Sequence, residues 1–218
     1  MAPVENVSPA LVDFNQKSLF ASACAIMFNP LFWKSVFTSL RDKVQYNNKL
    51  LTKLFGGRSQ TACYALAATI FLLGLFRDGL YERALRHQPT HPALDTDLAN
   101  YAGYALLAAG NVLVITSTYR LGITGTFLGD YFGILMDDIV TGFPFSLTDA
   151  PMYNGSTMSF LGTALLYGKP AGILLTLWVL TVYTVALRYE NPFTAGIYAK
   201  RDRERAAAGP GKEAKKVR

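Results

Sequence analysis

The chain carries an unbroken run of 22 uncharged residues, Leu98 to Tyr119. At about 1.5 Å per helical residue that run is about 33 Å long, enough to cross the roughly 30 Å hydrocarbon core of a bilayer. In water such a stripe would need a core around it on every side. The rest of the sequence points the same way. Hydrophobic residues make up 51% of the 218 positions and charged residues only 17%, against the roughly 25% charged residues usual for soluble domains. No strand alternation or solenoid-period repeat is visible. The sequence predicts an all-α, integral membrane helical bundle with about four apolar segments.

The other segments are less regular. Leu19 to Trp33 holds Asn29-Pro30, and its fifteen residues reach only about 22 Å. It could lie in the interface, enter partway, or cross with a kink. Thr61 to Phe76 is uncharged. Met158 to Leu187 is broken by Gly168-Lys169-Pro170, so either Pro170 to Leu187 is a single last span or the two halves form a helical hairpin. Charge favours the hairpin. It puts the basic Arg41–Arg58 loop on the same side as the C-terminal tail, and the more acidic Arg77–Asn100 loop on the other. The expected organisation is a polar N-terminus (1–18), a membrane-embedded body (19–197) and a basic cytosolic tail (198–218). That tail has eight basic residues against three acids. Beside apolar segments such a tail reads as a membrane flank, not as a nucleic-acid site. Lys215 and Lys216 match a retrieval signal of the endoplasmic reticulum if that end is cytosolic.

Cys24 and Cys63 sit in apolar runs and read as buried small hydrophobes. His87 and His91 stand in a polar loop without cysteines, so no metal is expected. Arg120 to Thr157 is rich in Gly, Phe and Tyr, which suits a structured, membrane-associated connection. Within it Gly125, Gly129 and Gly133 recur every four residues, as on one helical face. Asp130 is an ionisable group in apolar surroundings, a site candidate by default. Asp149 opens a polar island that runs to Thr157. There Ser156 or Thr157 could cap the following helix, and Asn154-Gly155-Ser156 is a glycosylation sequon expected to stay unmodified on the cytosolic side. Pro192 should stop the last helix near Arg188–Phe193. Glu190 at such a C-terminus would oppose the macrodipole and so calls for a cationic partner. Ala108-Ala109-Gly110 reads as a close helix contact.

Taken together, FNPLFW (28–33), LGITGTFLGDYFGIL, VTGFPFSLTDAPMYNGST and ALRYENPFTAGIY resemble the phosphatidylethanolamine N-methyltransferase family, from about Phe28 to Tyr198. The short chain and its closing tail are most similar to the fungal branch that performs the last two methylations. The resemblance implies S-adenosyl-L-methionine as methyl donor and phosphatidyl-N-methylethanolamine and phosphatidyl-N,N-dimethylethanolamine as acceptors. It also implies a phosphatidylcholine product and a multi-pass protein of the endoplasmic reticulum membrane, a mitochondrial membrane being the other option. By position, the family's Gly-x-Gly element falls on Ala108-Ala109-Gly110, where only the last glycine is kept. Its acidic pair falls on Glu190-Asn191, where only the first acid is kept. These five residues are the expected donor site. Asp130 and Asp149 are candidates to take the proton from the acceptor amine. Tyr153, with Tyr131, is a candidate to orient the head group. A fainter resemblance to isoprenylcysteine-type methyltransferases rests on Pro151-Met152-Tyr153-Asn154-Gly155 leading into a hairpin. The competing class is a non-enzymatic multi-span protein, a transporter subunit or scaffold. It leaves Asp130, Asp149 and Glu190 beside apolar runs unexplained.

Overall fold

A computed structural model describes residues 11–34, 50–137 and 140–208. The helices are α1 (Lys17–Lys34), the short α2 (Leu50–Leu54), α3 (Ser59–Arg86), α4 (Asp97–Thr126), α5 (Pro151–Leu166) and α6 (Pro170–Ala208), with a 3-10 turn at Gly129–Phe132. No strand occurs among the described residues. Three helices, α3, α4 and the Pro170–Arg188 part of α6, are long and apolar enough to cross a membrane, and α1 is a shorter apolar helix. The all-α membrane bundle is therefore borne out.

The 16 residues of α5 reach about 24 Å, short of the hydrocarbon core. It nonetheless packs between α4 and α6, antiparallel to both. Gly103 of α4 lies against Gly162, and Gly110 against Gly155. A Cβ on Gly110 would sit 2.5 Å from the Gly155 carbonyl oxygen, and one on Gly162 would sit 2.7 Å from that of Gly103. On the other side, Gly172 of α6 packs on Ala164. The break between α5 and α6 is chemical. Gly168 takes φ +63°, a conformation open to glycine, and Pro170 begins the next helix. Here α5 and α6 form the hairpin.

Connections 87–96 and 167–169 meet at what we call the hairpin end. Asp13 and Gln88 exchange two 2.8 Å bonds. Lys169 Nζ donates to the Gln88 carbonyl at 2.6 Å and to Thr90 Oγ1 at 2.7 Å. Tyr167 donates to Glu82 at 2.7 Å, and the accepting carboxylate raises the Tyr167 pKa above its ordinary value. At the opposite, tail end lie α2, the start of α3, the 3-10 turn and the extension of α6. The described part of the basic connection, with Lys53 and Arg58, thus shares an end with Lys200, Arg201, Arg203 and Arg205, as the charge argument for the hairpin required.

Several expectations are corrected. The connection after α3 begins at His87, not Arg77, because charges ride on continuing helical turns: Arg86 pairs with Glu82 across i,i+4 at 2.6 Å. Pro192 does not end α6, which runs through it to Ala208. Proline removes one N–H, a local loss that a long helix held at both ends survives. Neither Ser156 nor Thr157 caps α5, which starts at Pro151 after Ala150. Gly125, Gly129 and Gly133 share no helical face. Gly122 (φ +64°) kinks α4, Leu128 (φ 58°) is left-handed, and Gly133 (φ +75°) closes the 3-10 turn. Cys63 is buried as expected, but Cys24 is exposed on α1.

Candidate active site

The antiparallel register of α4 and α5 creates a recess. Gly155 faces Gly110, so Pro151, four residues earlier, is level with Val114. From there α4 runs eight more residues, about 12 Å further toward the tail end, to its kink at Gly122, and ends at Thr126. On the other flank α6 passes α5 at Tyr183 and continues to Ala208. The start of α5 is thus sunk between two helices that overrun it, and the described residues of the 127–150 connection lie at that end.

Four side chains meet where α5 enters the recess. Tyr153 is half-buried, its ring edge-on to Tyr183 with centroids 4.8 Å apart. The Tyr183 hydroxyl lies 3.0 Å from Ser156 Oγ and accepts a 2.9 Å bond from an Arg77 Nη. Arg77 also holds Asp78 through Nε and its other Nη, both at 2.9 Å, and its guanidinium lies 5.1 Å from the Phe160 ring centroid. With 15% of its side chain exposed, it is a cation embedded in an apolar body. Such a group is costly in a membrane unless paired, and it marks functional ground. Below it, Tyr81 donates to the Phe160 carbonyl at 2.8 Å and packs against its ring at 4.5 Å. Reading the sequence by charge put Arg77 in a loop. The missed signal was spacing: Arg77, Tyr81, Ala84 and Leu85 recur on one helical face.

The second group surrounds Asp130. The 3-10 turn carrying it is anchored by Tyr131 and Phe132, both buried with Ala62, Cys63 and Leu66 of α3. The Cys63 thiol reaches the Phe127 carbonyl at 3.8 Å. Asp130 is half-buried and accepts from the Tyr131 N–H at 3.1 Å. From this turn the chain runs to Met136 and Asp137, which contact Tyr198 and Arg201 of α6.

The remaining expected residues are placed as follows. Asp149 is exposed, two residues before α5. Ala108 and Ala109 are exposed on α4, whereas Gly110 is buried, its missing side chain replaced by Gly155 and Ser159. Gly110 therefore packs in the α4–α5 contact, while Ala108 and Ala109 lie on the exposed side of α4. Glu190 and Asn191 lie mid-helix in α6, and their side chains are outside the described residues. The macrodipole argument for Glu190 lapses, since no helix ends there. Its backbone stands seven residues beyond Tyr183, about 10 Å up the recess wall. Lys215 and Lys216 are also outside the described residues. The structure thus gathers Tyr153 with Ser156, Tyr183 and Arg77, and holds Asp130 in a separate turn at the same end.

Comparison with known proteins gives this arrangement a family. Residues 98–201, from the first turn of α4 to Arg201, match the phospholipid methyltransferase family. Over 203 residues the chain is 68% identical to a phosphatidyl-N-methylethanolamine N-methyltransferase of Neurospora crassa, covering 93% of this chain and 92% of that one. It is 51% identical over 192 residues to the Saccharomyces cerevisiae protein of the same name, covering 88% and 90%. It is 45% identical over 190 residues to a Homo sapiens phosphatidylethanolamine N-methyltransferase, covering 87% and 92%. No solved structure matches. With likeness of that level along nearly its whole length, and a short glycine-packed helix recessed between two membrane spans, the chain belongs to the phospholipid methyltransferase family.

Proposed function

We propose that the chain methylates phosphatidyl-N-methylethanolamine and phosphatidyl-N,N-dimethylethanolamine to phosphatidylcholine with S-adenosyl-L-methionine, in the endoplasmic reticulum membrane with its tail end cytosolic. The observation that carries this reading is the near-full-length likeness to relatives named for that reaction. The recess supports it by offering one place where a water-soluble donor and a bilayer lipid can meet.

The donor supplies a methyl group on a positive sulfur, which the amine lone pair displaces in line as the C–S bond breaks. The protein's own contribution is placement, worth up to about 7–11 kcal/mol when both reactants are held in register. Glu190, with Asn191, supplies an acceptor for the donor's ammonium from the recess wall. Gly110 serves the site by letting α5 approach α4, which sets the depth at which Tyr153 and Ser156 stand. Tyr153 presents an aromatic face to the cationic head group. A protonated amine has no lone pair, so a carboxylate must first take its proton. Asp130, held rigidly by its buried neighbours, fills that role better than the exposed Asp149.

The test is methyl transfer from labelled donor to each of three acceptors: the unmethylated, monomethylated and dimethylated lipids. Purified protein in lipid nanodiscs should methylate the last two faster than the first. No transfer to any of them would favour the non-enzymatic class.

A further inference from the structure

By composition the segment after Tyr198 is a basic flank, yet one of its arginines is not solvated. Only 15% of the Arg201 side chain is exposed. One Nη donates to the carbonyl oxygens of Met136, at 2.5 Å, and Asp137, at 3.1 Å. The other Nη pairs with Asp202 at 2.6 Å. Its guanidinium lies 4.7 Å from the Tyr198 ring centroid, and the Tyr198 hydroxyl accepts from the Met136 N–H at 3.3 Å. Arg205 adds a 3.5 Å contact to the Asp137 carboxylate. Two side chains one helical turn apart thus satisfy the backbone on both sides of one residue, in a stretch with no regular structure to satisfy it. That stretch begins three residues after Gly133, which closes the Asp130 turn.

We infer that Tyr198 and Arg201 are positioning residues of the methyltransferase site: they clamp Met136–Asp137 to α6 and so fix Asp130 relative to the recess wall that carries Glu190. The inference rests on Asp130 accepting the amine proton. The turn is held on one side by α3, through Ala62, Cys63 and Leu66. The clamp ties the following stretch to α6, the element that carries Glu190, and loosening it lets Asp130 shift relative to that helix. A misplacement of about 1 Å can cost 100-fold in rate. The family match ends at residue 201 and so includes both clamp residues.

The test uses the full chain in nanodiscs. Arg201→Ala should lower kcat about 10- to 100-fold, and that loss should shrink as pH rises, because free amine then forms without a protein base. Asp130→Asn should show the same pH trend, and the double variant should be little worse than either alone. A role confined to fold stability would lower activity by one factor at every pH. Ionisable groups stand around Asp130 on more than one element. Cys63 faces it from α3, and Tyr131 is adjacent in its own turn. Residues 121–126 of α4 carry no ionisable side chain, and Lys53 of α2 is exposed. Asp137, Arg201 and Arg205 stand at the clamp. Should Arg201→Ala not fold, Tyr198→Phe removes one bond and keeps the stacked ring. It should give a smaller loss with the same pH trend, and Arg201→Lys should restore part of the rate. A pH-independent loss in the clamp variants, while Asp130→Asn is pH-dependent, overturns the clamp and leaves the proton role intact. A pH-independent loss in all of them overturns both.

Discussion

Gly155 and Gly110 face each other across the α4–α5 crossing, and replacing either with alanine separates a packing role from a ligand-binding one. A Cβ on Gly155 would lie 2.5 Å from the Gly110 carbonyl oxygen, 2.9 Å from Leu113 Cβ and 3.1 Å from Val114 Cγ2. Carbon–oxygen contacts settle near 3.3 Å, so the helices must part by about 0.8 Å. Carbonyls in the middle of two helices cannot swing aside, and overpacking of this kind costs about 1–3 kcal/mol. For a chain of this size each kcal/mol lowers Tm by about 2–4 °C. Gly155→Ala should therefore melt about 2–12 °C lower in detergent. Gly110→Ala should match it, since its Cβ would meet the Gly155 carbonyl oxygen at 2.5 Å and Ser159 Oγ at 2.7 Å. The double variant should fall short of the sum, because one displacement relieves both clashes. Melting by intrinsic fluorescence, with donor KM measured in parallel, checks this. A Gly110→Ala protein with unchanged Tm and a sharply raised donor KM would refute the packing argument and make Gly110 a ligand contact.

Three further outcomes are expected. Glu190→Gln should raise donor KM about 10- to 100-fold, the loss of one charge-assisted bond of about 1.5–3 kcal/mol, with lipid KM little changed; an unchanged donor KM in folded protein would remove Glu190 from the site. Arg77→Met should destabilise by about 2 kcal/mol, since it strips a charged donor from Tyr183 and the partner from Asp78, and it should lower kcat through Tyr153; Arg77→Lys should recover stability more than rate, and full activity of Arg77→Met would show the cluster to be dispensable. A cysteine replacing exposed Ser146 should react with an impermeant reagent on intact, cytosol-side-out vesicles; reaction only after the vesicles are opened would reverse the proposed orientation.

What could be read from the sequence was what local rules decide. The 22-residue run gave α4, which begins at Asp97, one residue before the expected edge, capped by Thr96, whose hydroxyl accepts from Ala99 N–H at 3.2 Å. Gly168-Lys169-Pro170 gave the hairpin, because glycine and proline act through their own backbones. The misreadings share one cause: each took a local feature to act alone. Charge moved Arg77 into a loop because its partner Tyr183 is 106 residues away. Proline seemed to end α6, whose far side is held to Met136. The four-residue glycine spacing suggested a helical face, but the φ angles at Gly122, Leu128 and Gly133 bend the chain there. Of the candidate site, the acidic turn and the Tyr153 island were legible as chemistry. Their relation was not, because it depends on how far α4 and α6 overrun α5.

The hairpin end is tied shut by backbone and side-chain bonds among Asp13, Gln88, Thr90, His91 and Lys169. With the reactive groups proposed at the other end, a protein of this shape draws its acceptor from one leaflet and returns the product to that same leaflet. Each turnover then changes the lipid composition of one side of the membrane only. The opposite monolayer gains product no faster than some separate process carries it across, so the balance between the two halves of the bilayer becomes a matter of traffic as well as synthesis.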